Sequence, residues 1–308
     1  MSNMLPTDYQ TFIATSRYSR WLEDEQRRET WGETVERYVS NVVEPKLKKH
    51  EDFCKESAAV EDIHRAILGL EVMPSMRGLM TAGGAMERDN TCLYNCAYTP
   101  VEKPTDFDKA MFILLCGTGV GFSVERQYVS KLPTVPSLFM TEAETTIVVK
   151  DSKEGWAKAL RKVIQTLYSG QIPVWDVSGV RPAGAKLKTF GGRASGPAPL
   201  VELFNSGHRA LANNSVCYTE KPDMETYIRE WSSLIESKSG ERGVFNRVAS
   251  KAQAAKNGRR DPNWEFGTNP CSEIILRPRQ FCNLTEVVIR ATDSIDDIER
   301  KVRLASIL

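Results

Sequence analysis

The sequence predicts a mixed α/β fold, and two observations carry that expectation. Stretches with apolar residues at helical spacing alternate with short, glycine-led, β-branched runs that read as buried strands. The composition, 41% apolar and 26% charged over 308 residues, is that of an ordinary globular chain. Its length suits about two domains, or one barrel.

From the N-terminus, residues 7–50 read as two helices. Thr7 or Asp8 can cap the first, and Trp21, Trp31, Val35, Tyr38 and Val42 recur at helical spacing. Arg27-Arg28-Glu29-Thr30 reads as a solvated face and Pro45 as an interruption. Lys46, Lys48, Lys49 and His50 form a short basic cluster, also solvated. A helix from Val60 to Leu70 carries His64, read as structural. In Met73-Pro74-Ser75-Met76-Arg77-Gly78, running on to Gly83-Gly84, glycine and small hydroxyl residues suit a loop where backbone approaches a ligand. Asn95-Cys96-Ala97-Tyr98 then opens an extended stretch.

A helix over 106–116 ends at Cys116-Gly117, and Gly117-Thr118-Gly119-Val120-Gly121-Phe122-Ser123-Val124 follows. This run lacks the third, helix-opening glycine of a dinucleotide-binding fingerprint. It reads instead as a buried strand whose glycines let a sugar or base lie against the backbone. The next helix, 151–168, is capped by Asp151 or Ser152 and presents Ala157, Leu160, Val163, Ile164 and Leu167 as its apolar stripe. Val174-Trp175-Asp176-Val177 reads as a strand. The loop beyond it holds Arg181 and Gly191-Gly192-Arg193, a Gly- and Arg-rich composition that suits a nucleoside phosphate. A helix over 222–238 puts Ile228, Trp231, Leu234 and Ile235 on one face. The basic turn Lys256–Arg260 reads as solvated, and a last helix starts at Ile295.

Charge excludes some classes of function. Lys and Arg number 41 against 40 Asp and Glu, so no global field draws the chain to nucleic acid or membrane. There is no apolar run of transmembrane length and no signal-peptide core in the first residues, so a cytoplasmic protein is expected. In that reducing setting, clustered cysteines point to metal or redox chemistry rather than permanent disulfides. Cys54, Cys116 and Cys217 read as small apolar fillers.

The remaining cysteines gather around one stretch, Asn269-Pro270-Cys271-Ser272-Glu273, followed by Phe281-Cys282-Asn283-Leu284. In an extended segment, alternate side chains share a face. Asn269, Cys271 and Glu273 would then offer an amide to hold a hydroxyl, a sulfur and a base in a row.

These motifs resemble ribonucleotide reductase. The family carries Asn-x-Cys-x-Glu, then Cys-Asn-Leu, and a Pro-Ser-Met-Arg-Gly loop ahead of Asn-Cys; all stand here. Asp151-Ser152-Lys153-Glu154-Gly155-Trp156, Arg181-Pro182-Ala183-Gly184-Ala185 and Phe190-Gly191-Gly192-Arg193-Ala194-Ser195-Gly196-Pro197 resemble the adenosylcobalamin-dependent, monomeric class II type. The resemblance implies a ten-stranded α/β barrel. Residues 1–70 would be an N-terminal helical region, and 71–308 the first half of the barrel with its finger loop. It implies that Cys271 forms the thiyl radical, Glu273 acts as base, Asn269 holds the sugar, and Cys96 with Cys282 supplies two electrons. Cys92 is the competitor of Cys96 for that pairing. Ser75, Asn95, Gly119 and Gly121 are implied at the substrate, and Asp151, Arg181 and Arg193 at an effector. A buried Glu273 would have a raised pKa. The cofactor implied is adenosylcobalamin, with no contact residue assigned and no metal ligand set. The implied partners are a ribonucleotide, by the monomeric-type motifs a triphosphate, and thioredoxin or another dithiol.

The chain departs from the family after Leu203-Phe204, where a Gly-x-Val-Arg-Arg specificity segment is absent. Control by a deoxynucleotide effector is therefore expected to be lost, along with one barrel strand. The end at Ser306-Ile307-Leu308, inside a promising helix, suggests a split or interrupted reading frame, so that either a second polypeptide completes the barrel or the chain is an inactive fragment, and alone it is not expected to reduce nucleotides. Two other readings stand beside this one. One is a non-catalytic, nucleotide-binding remnant of a reductase; the other is a structural zinc site on Cys92, Cys96, Cys271 and Cys282. A glycyl-radical enzyme lacks support, since no C-terminal glycyl motif is present.

Overall fold

The alternation of helix and strand folds as three βαβ crossovers. Cys96–Pro100 pairs in parallel with Gly119–Ser123 across the helix Thr105–Leu115. Thr141–Val148 pairs with Gln171–Asp176 across Lys153–Tyr168, and Asn214–Tyr218 with Arg242–Asn246 across Met224–Glu236. Parallel neighbours need such a crossover because a tight turn can only reverse the chain. The computed structural model describes residues 5–49, 57–134, 141–187, 192–206, 214–236, 238, 242–258 and 260–308. His50, Cys54, Gly191 and Arg259 lie outside the described residues, as does the part of the 205–208 departure from residue 207 on.

The chain forms two compact units. One comprises residues 1–95, 186–193 and 283–308; the other comprises 96–185 and 194–282. The first boundary between these units falls between Asn95 and Cys96.

The first unit is mainly helical. Thr7, not Asp8, caps Asp8–Ile13, its hydroxyl accepting from the Gln10 amide at 3.2 Å. Thr30 and Glu33 form a capping box at Trp31–Tyr38, the reciprocal arrangement that satisfies two orphan amides. Val35, Tyr38, Ile63, Ile67, Val72 and Leu79 meet in its core. Three local expectations fail here. Trp21 lies on a short Trp21–Leu22/Arg27–Arg28 hairpin and is exposed, not on a helix. Glu29 is not solvated: it is buried, and Arg37 grips its carboxylate from Nε (2.8 Å) and Nη2 (2.9 Å) while Nη1 donates to the Leu79 and Ala82 carbonyls. Pro45 does not interrupt, because it falls in the first turn of Glu44–Leu47, where its missing N–H costs no hydrogen bond.

The second unit packs Lys153–Tyr168 against its strand pair through Ile147, Val149, Ala159, Leu160 and Val163, joined by Leu200 and Phe204. Ser152 caps this helix. Met224–Glu236 has the predicted apolar spacing, but Ile228, Trp231 and Ile235 are exposed. The spacing identifies the face and does not supply a cover for it.

Among the described residues, the strands form five two-stranded sheets and one three-stranded sheet, and none closes into a barrel. No helix among them is long and apolar enough to cross a membrane. The three-stranded sheet matters most: Phe281–Cys282 adds antiparallel to Cys96–Pro100, which pairs in turn with Gly119–Ser123.

Candidate active site

The sheet register sets two cysteines side by side. Cys282 is the direct antiparallel partner of Cys96, and Phe281 that of Ala97. Directly opposed residues in such a pair stand about 4.5–5.5 Å apart at Cα, within the about 4.4–6.8 Å that a disulfide spans. Both thiols are free and buried. Burial pushes the Cys282 thiol up to about 12, and the neighbouring Cys96 adds to the effect. Cys92 does not share this strand. It is buried on the short helical turn Asn90–Leu93, in the other unit, where its carbonyl accepts from Arg77 Nε (3.2 Å).

The stretch 269–274 is not extended. Gly267–Thr268 and Ile275–Leu276 pair as a hairpin, and the six residues between them form its loop. The loop is closed from inside by Asn269, which is 1% exposed. Its Oδ1 accepts from the Ile274 amide at 3.0 Å, its own amide donates to the Ile274 carbonyl at 3.1 Å, and its carbonyl accepts from the Ser272 amide at 3.0 Å. Ser272 turns the chain through φ 67°. Asn269 Nδ2 points the other way, donating to Glu273 Oε1 at 2.6 Å and approaching Cys96 Sγ at 3.7 Å. Asn269 thus touches the Glu273 carboxylate, the loop backbone and the Cys96 sulfur at once. The trio that a strand would have aligned is gathered by a turn instead, with Cys271 exposed at the tip.

Glu273 is exposed, not buried as expected. Cys271 is held above the ordinary thiol value by what burial its sulfur has, then by the negative charge of Glu273 and by Cys96. A raised thiol pKa keeps the S–H bond intact at neutral pH, the form that can give up a hydrogen atom.

The other candidates divide. Gly119 is the register partner of Cys96 and Gly121 that of Tyr98. Gly121 is not open to a sugar: a Cβ there would overlap the Thr268 carbonyl oxygen, so the space is filled by the hairpin. Ser75 lies in the first unit as the N-cap of Met76–Thr81, a helix where a loop was expected. Its hydroxyl accepts from the Gly78 amide (2.9 Å) and donates to the Leu93 carbonyl (3.3 Å). Asn95, also in the first unit, has a buried Oδ1 without a hydrogen-bond partner. Asp151 and Arg181 meet in the second unit through Oδ2 and Nε at 2.7 Å. Arg193 belongs to the first unit, bridged to Lys186. Cys116 is buried at the end of Thr105–Leu115 and its sulfur accepts from Lys153 Nζ at 3.2 Å; Cys217 is half-buried. Among the described residues, no three His, Cys, Asp or Glu side chains converge to hold a metal ion, so the four-cysteine zinc reading has no geometric support. The sequence reading passed over Tyr98 and Gly267, which pack on each other directly. The one signal available was that Tyr98 falls two positions after Cys96, on the same strand face.

Two family models match this chain. One, described as the ribonucleotide reductase alpha domain, covers residues 3–84; the other, described as the insertion domain of B12-dependent ribonucleotide reductase, covers residues 135–211. Together they span about half of the chain. The chain belongs to the B12-dependent ribonucleotide reductase family. It is similar to the adenosylcobalamin-dependent ribonucleoside-triphosphate reductase of Lacticaseibacillus paracasei, 27% identical over 402 aligned positions that cover 88% of this chain and 53% of that enzyme. The Euglena gracilis enzyme of the same description is 29% identical over 82% of this chain and 34% of its own length. A crystal structure of a B12-dependent class II ribonucleotide reductase shares the fold, with a TM-score of 0.70 at 21% identity over 96% of this chain and 58% of that one. The chain spans about half the length of the curated relatives it matches. The alignment with the Lacticaseibacillus paracasei enzyme has 402 positions and covers 88% of the 308 residues, about 271, so within it the relative carries about 131 residues with no counterpart here (402 − 271).

Proposed function

We propose that this family member carries the thiol machinery of an adenosylcobalamin-dependent reductase that converts ribonucleoside triphosphates to 2′-deoxyribonucleotides. The observation that carries the reading is the contact set of Asn269, which links Glu273 at 2.6 Å to Cys96 at 3.7 Å, beside a Cys96/Cys282 pair in strand register. Loss of a ribose 2′-hydroxyl needs a hydrogen-abstracting sulfur, a base and a two-electron reductant. These residues offer one of each.

In this reading Cys271 takes the hydrogen from C3′ and later returns it. Its exposed position at the loop tip and its protonated thiol fit a residue that must meet a bulky radical source. Adenosylcobalamin, when bound, supplies the radical by homolysis of its Co–C bond. Cys271 is the residue of this chain that would face it. Glu273 accepts the 3′-hydroxyl proton, Asn269 Nδ2 orients that carboxylate, and the 2′-hydroxyl leaves as water. Cys96 and Cys282 give up two electrons and two protons and close a disulfide, which thioredoxin or another dithiol reopens. Asn95, with its unsatisfied Oδ1, and Ser75 are read as substrate contacts offered by the first unit, and Gly119 as one offered by the second. Asp151, Arg181 and Arg193 are read as effector contacts. Residues 71–308 are read as the first half of a ten-stranded barrel with its finger loop.

The test is deoxynucleotide formation from a ribonucleoside triphosphate with adenosylcobalamin and a dithiol, in a full-length enzyme carrying residues 1–308 as the parent and in the same enzyme with Cys271→Ser. Product in the parent alone supports the reading, because an alcohol O–H is too strong to replace the thiol. Equal product in both sinks the assignment of Cys271. Nucleotide binding by the parent without product in either protein favours a non-catalytic remnant.

A further inference from the structure

The reacting loop is seated by an interlock that nothing in the motif pattern describes. Tyr98 stands on the same strand as Cys96, two residues on, and its register partner on the next strand is Gly121. The hairpin strand Gly267–Thr268 lies over this pair. The Tyr98 ring rests on Gly267: a Cβ there would overlap ring carbons Cε2 and Cζ and lie 2.7 Å from Cδ2. One residue later, the Thr268 carbonyl oxygen fills the place of a side chain at Gly121, where a Cβ would also come within 3.0 Å of the Thr268 and Asn269 carbonyl carbons. Neither glycine has a positive φ, so the need is for space and not for an unusual backbone. A large residue faces an empty one on the sheet, and the hairpin presents the complementary order. Tyr98 is 2% exposed, and Leu276, the register partner of Gly267, packs in the same small cluster as Cys96, Tyr98 and Cys282.

We propose that Tyr98, Gly121 and Gly267 are positioning residues that fix the register of the 267–276 hairpin on the sheet, and thereby hold Asn269 against Cys96 and Glu273. A slip of the hairpin by one residue would drive the Tyr98 ring into a Cβ-bearing position and flip each loop side chain to the other face. Asn269 follows Thr268 directly, so its place at the thiol pair is set by the same contact. The proposal deepens the reductase reading and rests on it for its purpose. Its geometry is testable without turnover.

The experiment compares the parent with Gly267→Ala, Gly121→Ala, Tyr98→Leu and Tyr98→Phe in the 308-residue protein. Two readouts report the loop itself: hydrogen exchange at the Ile274 amide, which Asn269 Oδ1 holds, and the pH profile of Cys271 alkylation followed by mass spectrometry. Urea unfolding reports global stability separately. Gly267→Ala and Gly121→Ala should raise Ile274 exchange by at least tenfold under conditions where the fold persists. They should also move the Cys271 profile to lower pH, as the thiol leaves Glu273 and Cys96. Tyr98→Phe keeps the ring and should match the parent, whereas Tyr98→Leu should behave like the glycine variants. Parent-like Ile274 protection and an unmoved Cys271 profile in a folded Gly267→Ala protein overturn the proposal. If both glycine variants fail to fold, the Tyr98 pair decides: Leu and Phe variants that protect Ile274 equally well overturn it. Loop results as expected, alongside equal deoxynucleotide from the parent and from Cys271→Ser in a full-length enzyme, would refute the reductase assignment of Cys271 and leave the interlock standing.

Discussion

Removing the Asn269 side chain tests the site without any cofactor. In Asn269→Ala the Ile274 amide loses its acceptor (3.0 Å), and Glu273 loses its donor (2.6 Å). A net intramolecular hydrogen bond contributes about 1 kcal/mol, and one to a charged group somewhat more. Glu273 is exposed, so solvent reclaims most of the second term. The loop should therefore open about 1–2 kcal/mol more easily, a factor of roughly 5–30 in the open population. The Asn269 amide and carbonyl contacts to Ile274 and Ser272 are main-chain and persist, so the loop should loosen and not melt. Amide exchange at Ile274 in the native protein measures that population directly, provided opening is local. Asn269→Asp separates the two bonds: its carboxylate still accepts from Ile274 but repels Glu273. It should restore much of the Ile274 protection while freeing the Glu273 carboxylate. An Ile274 amide that exchanges in Asn269→Ala as slowly as in the parent would refute the reasoning, because the side chain would then not be closing the loop.

Mild oxidation followed by peptide mapping should yield a Cys96–Cys282 disulfide; a Cys92–Cys282 linkage would contradict the strand register. Alkaline stability follows from Cys282, whose folded thiol lies at about 12 against an ordinary value of 9.0. Above pH 9 the unfolded chain sheds this proton while the folded one keeps it, so the contribution is whole below about 9 and is lost as pH rises towards 12. Cys282→Ser should flatten this part of the pH–stability curve relative to the parent, and an identical curve would count against the assignment. Glu29→Gln should lower stability by about 3 kcal/mol or more in urea unfolding, since it leaves the Arg37 guanidinium in a buried site without its counter-charge; a change below about 1 kcal/mol would show that the pair is not desolvated.

The sequence carried the local periodicities well and the register not at all. The helices at 106–116, 151–168 and 222–238 recur within a few residues, because helix spacing, caps such as Ser152 and the Gly117 stop are encoded in neighbouring residues. What failed depended on distant partners. Glu29 reads as solvated because nothing local shows Arg37 folding back onto it, eight positions away. Ile228 and Trp231 share the predicted apolar face and yet are exposed, because apolar spacing is the same whether or not a partner arrives. The loop at 269–274 reads as extended because alternation is the only geometry its residue types suggest, and the turn at Ser272 has no glycine to announce it.

The proposed site stands out in the sequence for a different reason. Its residue types are hard to explain by packing alone, and the motif names them whatever the local conformation. The extended-strand argument has the wrong shape and still groups Asn269 with Glu273, because residues four apart also meet across a tight turn. What no spacing rule could reveal is how Cys96 reaches them across 173 positions. That meeting depends on the antiparallel addition of Phe281–Cys282 to Cys96–Pro100, and on a hairpin seated over Tyr98 and Gly121. In the proposed reading the chemistry rests on five side chains, while their distances are set by a ring and two absent Cβ atoms that carry no chemistry of their own. A substitution at Gly267 should accordingly disturb the site as much as one at Asn269, although the sequence marks Asn269 alone as functional.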